Sequence, residues 1–222
     1  MEPSLSKKTT GIWDFFKTIV TAVFIAVIIR TFAYEPFNIP SGSMIPTLLV
    51  GDYLFVSKFS YGYSKFSLPF APSIFSGRVV ANKPRRGDVF VFKKPTNTKI
   101  DYIKRLVGMP GETIQMVNGL VHIDGKPVVR EKIPGLKKND AFGRQISVPQ
   151  YRVTLPNGVT HRIIELMGDK GPADNTGIFT VPKRHYFMMG DNRDNSVDSR
   201  DRSVGTVPFE NLVGRAEILF WA

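Results

Sequence analysis

A mainly β protein, an antiparallel domain carried behind one apolar helix, is the fold class this sequence predicts, on three observations. From Pro36 onward the apolar runs are short and alternate with polar residues, as side chains do on the two faces of a half-buried strand. Glycine and proline punctuate those runs, with Asn118-Gly119 and Asp124-Gly125 between them as tight-turn dipeptides. Ahead of all this, Ile19 to Ile29 reads IVTAVFIAVII, broken only by Thr21.

The helix comes first. Read from Gly11 to Tyr34, and at about 1.5 Å per residue, it is long enough to cross a hydrocarbon core of about 30 Å. Asp14 and Lys17 mark one end, Arg30 the other, and Trp13 and Tyr34 suit the two interfaces. A cleaved signal peptide needs small residues after the apolar run, and Arg30-Thr31-Phe32-Ala33-Tyr34-Glu35 does not supply them. A buried soluble helix needs a polar face, which Ile19 to Ile29 lacks. An uncleaved transmembrane anchor over 11–34 is therefore expected. Lys7 and Lys8 place residues 1–10 as a cytoplasmic tail and residues 35–222 as one extracytoplasmic domain.

Within that domain, strands are expected over Asp52 to Phe59, Asp88 to Lys93, Ile100 to Val107, Thr113 to Val117 and Leu120 to Ile123. The tract 127–184 is more polar and reads as a small inserted subdomain, β or loop. Lys137-Lys138-Asn139-Asp140 and Gly168-Asp169-Lys170-Gly171-Pro172 are its expected loops.

Composition excludes several functions. At 222 residues and 42% hydrophobic the chain can bury a core, so it is neither fibrous nor disordered. The net charge of +11 is dispersed and interleaved with aspartates, which suits solvent or lipid headgroups and not a nucleic-acid groove. With no cysteine there is no thiol nucleophile and no cysteine-ligated metal. His122, His161 and His185 are far apart and show no metal-ligand spacing, so no metal or cofactor is expected.

Two short stretches carry chemistry. Pro40 and Pro46 bracket Ser41-Gly42-Ser43, a turn able to present Ser43 to a carbonyl, with its own amide and the Ser41 hydroxyl near the oxyanion; the alternative is a plain linker. In a strand, Ile100, Tyr102, Lys104 and Leu106 share one face, so Lys104 keeps apolar company. An ordinary lysine, with pKa near 10.4, is neutral about four times in ten thousand at pH 7, and burial raises that fraction. A snorkelling surface lysine is the alternative. A third stretch, Gly190 to Arg200, is dense in hydrogen-bonding side chains; a calcium ion or a phosphate is one reading of it, but it lacks EF-hand spacing, and a rigid loop that orients a neighbour is the simpler one.

Together these motifs resemble bacterial type I signal peptidase, a Ser/Lys endopeptidase family. The match runs through Tyr34 to Leu48, Arg86-Gly87-Asp88-Val89, Asp101 to Gly108 and Gly190 to Arg200, in that order. The resemblance implies a β catalytic domain on the outer face of the bacterial inner membrane, one span, no cofactor, and secretory preproteins as substrates, cut after Ala-x-Ala-type residues. It implies Ser43 as nucleophile, Lys104 as general base and Ser41 in the oxyanion hole. Ser196 would hydrogen-bond Lys104, Tyr102 would pack beside it, and Asp198 and Arg200 would form a supporting ion pair. Ile39, Met44, Leu48 and Ile103 match the family's substrate-contacting positions. Some family members carry two membrane helices, and this sequence offers one. Two competing readings are a self-cleaving repressor-type Ser/Lys protease, disfavoured by the apolar anchor, and a membrane-tethered binding protein indifferent to loss of Ser43 or Lys104.

Overall fold

The computed structural model describes residues 11–68, 71, 76–139 and 142–221. The expected tail 1–10 and Asp140 lie outside the described residues. One α-helix, α1 (Ile12–Phe32), precedes the strands. In chain order these are β1 (Tyr34–Asn38), β2 (Tyr53–Ser57), β3 (Val89–Lys94), β4 (Asn97–Gly108), β5 (Thr113–Val117), β6 (Leu120–Ile123) and β7 (Lys126–Pro127). There follow β8 (Val129–Asn139), β9 (Gln145–Thr154), β10 (Thr160–Ile164), β11 (Phe179–Thr180), β12 (His185–Met189), β13 (Val207–Pro208) and β14 (Leu212–Trp221).

The fold is mainly antiparallel β, as the alternation predicts. A seven-stranded sheet runs in the order β1-β2-β14-β3-β4-β12-β13, a four-stranded sheet β11-β5-β6-β7 and a three-stranded sheet β10-β9-β8. The β5–β6 and β6–β7 hairpins turn at Asn118-Gly119 and Asp124-Gly125, all four residues at positive φ, the conformation that Asn/Asp-Gly pairs favour. Apart from Asp14, Lys17, Thr18 and Thr21 on one face of its first half, the side chains of α1 from Ile12 to Ile29 are apolar and, among the described residues, exposed, which is the surface of a helix suited to lipid.

Lys137, Lys138 and Asn139, expected in a loop, continue β8 instead, paired with Ser147, Ile146 and Gln145. Here β8 and β9 form a ribbon whose outer residues are solvated on both faces, so no hydrophobic alternation marks the strand. The tract 127–184 also shares its core with the rest of the domain. Val128, Val153, Leu155 and Ile163 pack with Val107, Ile114, Phe187 and Met189, and β11 returns to pair with β5.

Candidate active site

After β1, extended backbone at Ser41 leads into a single 3-10 turn, Gly42–Met44. Ile39 and Met44 are buried in the core on either side of it, so the apolar flanks anchor a short polar turn. Gly42 is used for close approach: a Cβ there would meet Ile45 Cδ1 at 3.0 Å. The Ile45–Pro46 bond is cis.

Central strand β4 supplies the lysine. Lys104 lies opposite Phe90 of β3, and Tyr102 opposite Phe92. With Leu106 these side chains form the apolar face expected of this strand, whereas Ile100, at its outer end, is exposed. Lys104 is 4% exposed and Ser43 is 6% exposed, so both side chains are withdrawn from bulk water. Lys104 Nζ lies 2.7 Å from Ser43 Oγ and donates to the Ile103 carbonyl at 2.9 Å. It also sits 5.2 Å from the centre of the Tyr102 ring. Burial lowers the Lys104 pKa from 10.5 to about 8, against the opposing pull of Asp198 and Asp191. Ser41 Oγ stands 3.5 Å from Ser43 Oγ.

The loop Gly190 to Arg200 fastens the turn from behind. Asn192 donates its backbone N–H to the Ser43 carbonyl at 3.1 Å and its side-chain amide to the Gly42 carbonyl at 3.0 Å. Asp191 receives Arg105 in a buried fork of 2.8 and 2.6 Å, and the Thr47 hydroxyl donates to the same carboxylate. Burial alone would raise the Asp191 carboxyl, but the Arg105 guanidinium holds it below the usual range. Asp198 and Arg200 form the ion pair expected of them, two bonds of 2.9 Å, and Asp198 also accepts the Gly190 N–H.

Ser196 departs from expectation. Its hydroxyl makes no hydrogen bond to Lys104; it is buried against Gly190, where a Cβ would stand 2.2 Å from Ser196 Oγ. Lys104 is oriented by Ser43 and the Ile103 carbonyl instead. Ile39, Met44, Leu48 and Ile103 do come together, in one cluster with Leu54, Val56, Val91 and Val213 beside the turn.

Four residues of the site had no role assigned by sequence: Thr47, Arg105, Asp191 and Asn192. One signal was available for Arg105. It shares a strand face with Ile103 and Val107, and a guanidinium on such a face needs a buried counter-charge.

A serine hydroxyl touching a desolvated amine, on a β domain behind an apolar helix, defines a serine hydrolase. A model of the family "Signal peptidase, peptidase S26" matches residues 12–221. The chain is 40% identical to the signal peptidase I of Rickettsia typhi over 93% of its own length and 79% of that protein's. It is 41% identical to that of Rickettsia prowazekii over the same shares. A crystal structure of a signal peptidase I from Enterococcus faecalis, 25% identical, covers 61% of this chain and 98% of its own with a TM-score of 0.35. The chain belongs to the signal peptidase family, peptidase S26, and is a hydrolase of the signal peptidase I type.

Proposed function

We propose that this chain is a membrane-anchored serine endopeptidase that removes signal peptides from exported preproteins, cutting after small residues of Ala-x-Ala type. The observation that carries this reading is the 2.7 Å contact between Ser43 Oγ and a buried Lys104 amine. Residues 11–34 form a single span, residues 1–10 stay in the cytoplasm, and residues 35–222 face outward at the bilayer, including 127–184 as a subdomain that shares their core.

The neutral Lys104 amine takes the proton of the Ser43 hydroxyl as Oγ bonds to the scissile carbonyl carbon. The Ser43 amide and the Ser41 hydroxyl hold the oxyanion. On collapse the C–N bond breaks and Lys104 returns its proton to the leaving amine. Water, deprotonated by the same lysine, then hydrolyses the acyl-enzyme and regenerates the serine. Ile39, Met44, Leu48 and Ile103 line the surface that receives the small side chains, with Tyr102 against the amine. Asp198 and Arg200 hold the loop behind it, and Ser196 fills the space between that loop and the turn.

The test compares purified full-length protein with Ser43→Ala in liposomes on a preprotein bearing an Ala-x-Ala site, read by gel shift and product N-terminal sequencing. Cleavage at that site by the wild type alone is expected. Equal cleavage by both removes Ser43 as nucleophile, and no cleavage by folded wild type favours a tethered binding protein.

A further inference from the structure

At the loop Gly190 to Arg200 three carboxylates converge. Glu165 follows β10, Asp174 follows the turn at Gly171, and Asp194 comes from the loop itself; one oxygen of each lies within 4.8 Å of the others. Glu165 is fully buried and Asp174 is 1% exposed. Buried carboxylates are ordinarily satisfied by hydrogen-bond donors. Here neither oxygen of Glu165 and not Oδ1 of Asp174 accepts one. Arg130 approaches Glu165 only to 3.9 Å, because its guanidinium is spent on Asp169 at 2.8 and 2.9 Å.

Charge points the same way. Asp198 and Arg200 neutralise each other, as do Arg130 and Asp169. Among the described residues Arg193 acts most strongly of the cations on Glu165, yet burial outweighs it and pushes that carboxyl up to about 8. The backbone has made room for this convergence: a Cβ on Gly171 would stand 2.0 Å from Asp194 Oδ1 and 3.0 Å from Asp174 Oδ2.

We infer that Glu165, Asp174 and Asp194 bind one divalent cation, calcium, that braces the catalytic loop. An all-oxygen, anionic donor set selects a hard cation. Magnesium sheds its waters reluctantly and is ordinarily held through one or two carboxylates, whereas three converging protein carboxylates suit calcium. The loop is laced to the same corner: Ile164 donates to the Asp191 carbonyl at 3.0 Å and Arg193 to the Ile164 carbonyl at 3.1 Å. A cation on Glu165 and Asp194 would close that corner and steady Asn192, which bonds the Ser43 carbonyl directly, and its neighbour Asp191.

The experiment uses the full chain in a non-ionic detergent, stripped with chelator, and reads calcium binding by calorimetry together with the thermal midpoint. One calcium per chain is expected, with a dissociation constant on the order of 10⁻⁴–10⁻³ M, as for extracellular modules with few charged ligands. The midpoint should rise with calcium more than with magnesium or with sodium chloride of equal ionic strength. Glu165→Gln and Asp174→Asn, each nearly isosteric, should weaken binding at least tenfold, on the order of the loss of one charged ligand. Folded wild type that binds no calcium up to about 10 mM, beyond the weakest sites of this kind, overturns the proposal and leaves the carboxyls sharing a proton. So does calcium binding that both variants retain unchanged, and a preference for magnesium overturns the assignment to calcium.

Discussion

Lys104, the proposed general base, shows how one residue's environment sets both its proton affinity and a penalty in stability. With a pKa of about 8 in place of 10.5, its neutral fraction at pH 7 rises roughly three-hundredfold, to about one chain in ten. The acid limb of kcat/KM should therefore have its midpoint near pH 8 and fall about tenfold per unit below it. A pH–rate profile that is flat from pH 6 to 9 would remove Lys104 as the base. The same burial destabilises the fold. The folded pKa lies below the unfolded one, so between pH 8 and 10.5 the unfolded chain binds more protons and stability rises with pH. Below pH 8 the folded protein carries the full penalty, about 3 kcal/mol. Lys104→Met should accordingly be inactive yet more stable at pH 7, by up to about 3 kcal/mol, with that alkaline rise flattened. Denaturant titrations at pH 7 and pH 10 measure both effects.

At the scale of elements, the site is a turn, a strand and a loop in mutual contact, and Gly190 is where loop meets turn. A Cβ there would stand 2.6 Å from the Ser43 carbonyl oxygen, which is backbone and cannot yield without moving Ser43. Gly190→Ala should lower kcat/KM by about a hundredfold or more while the far-ultraviolet spectrum stays that of the wild type, since an ångström of misplacement carries that loss. Near-native activity in that variant would show the turn to be compliant. These contacts explain what the sequence could reveal. The bounds of β5 and β6 were legible because period-two alternation and Asn/Asp-Gly turns are local signals. Punctuation and an apolar strand face, again local, singled out Ser43 and Lys104 as candidates, while their roles came only from the resemblance. The Arg105–Asp191 fork joins residues 86 positions apart, and no local pattern encodes such a pairing. The outer half of β8 was hidden because a solvated ribbon has no buried face to write into its sequence.

At the scale of the whole molecule, the question is what ties the apolar helix to the β domain, because that junction sets how near the helix Ser43 stands. The chain passes from Phe32 to β1 without a linker. Tyr63 donates its hydroxyl to the Phe32 carbonyl at 2.7 Å, and the Lys58 N–H reaches the Ala33 carbonyl at 3.0 Å. Arg30 of α1 and the buried Lys58 after β2 both grip Glu35 of β1, at 3.0 and 2.9 Å. Burial alone would raise the Glu35 carboxyl; Lys58 and Arg30 reverse this and hold it below 4.5. Its contribution to stability is thus present above the unfolded value of 4.5 and is lost as pH falls through the lower folded value. Glu35→Gln leaves the Lys58 ammonium buried beside a neutral amide and should destabilise the protein at pH 7 by up to about 3 kcal/mol. The gap between wild type and variant should narrow as the pH is taken below 4.5. Thermal midpoints of both proteins in detergent from pH 3 to 7 test this, and two parallel curves would mean that Glu35 is charged to the same extent in the folded and unfolded chains.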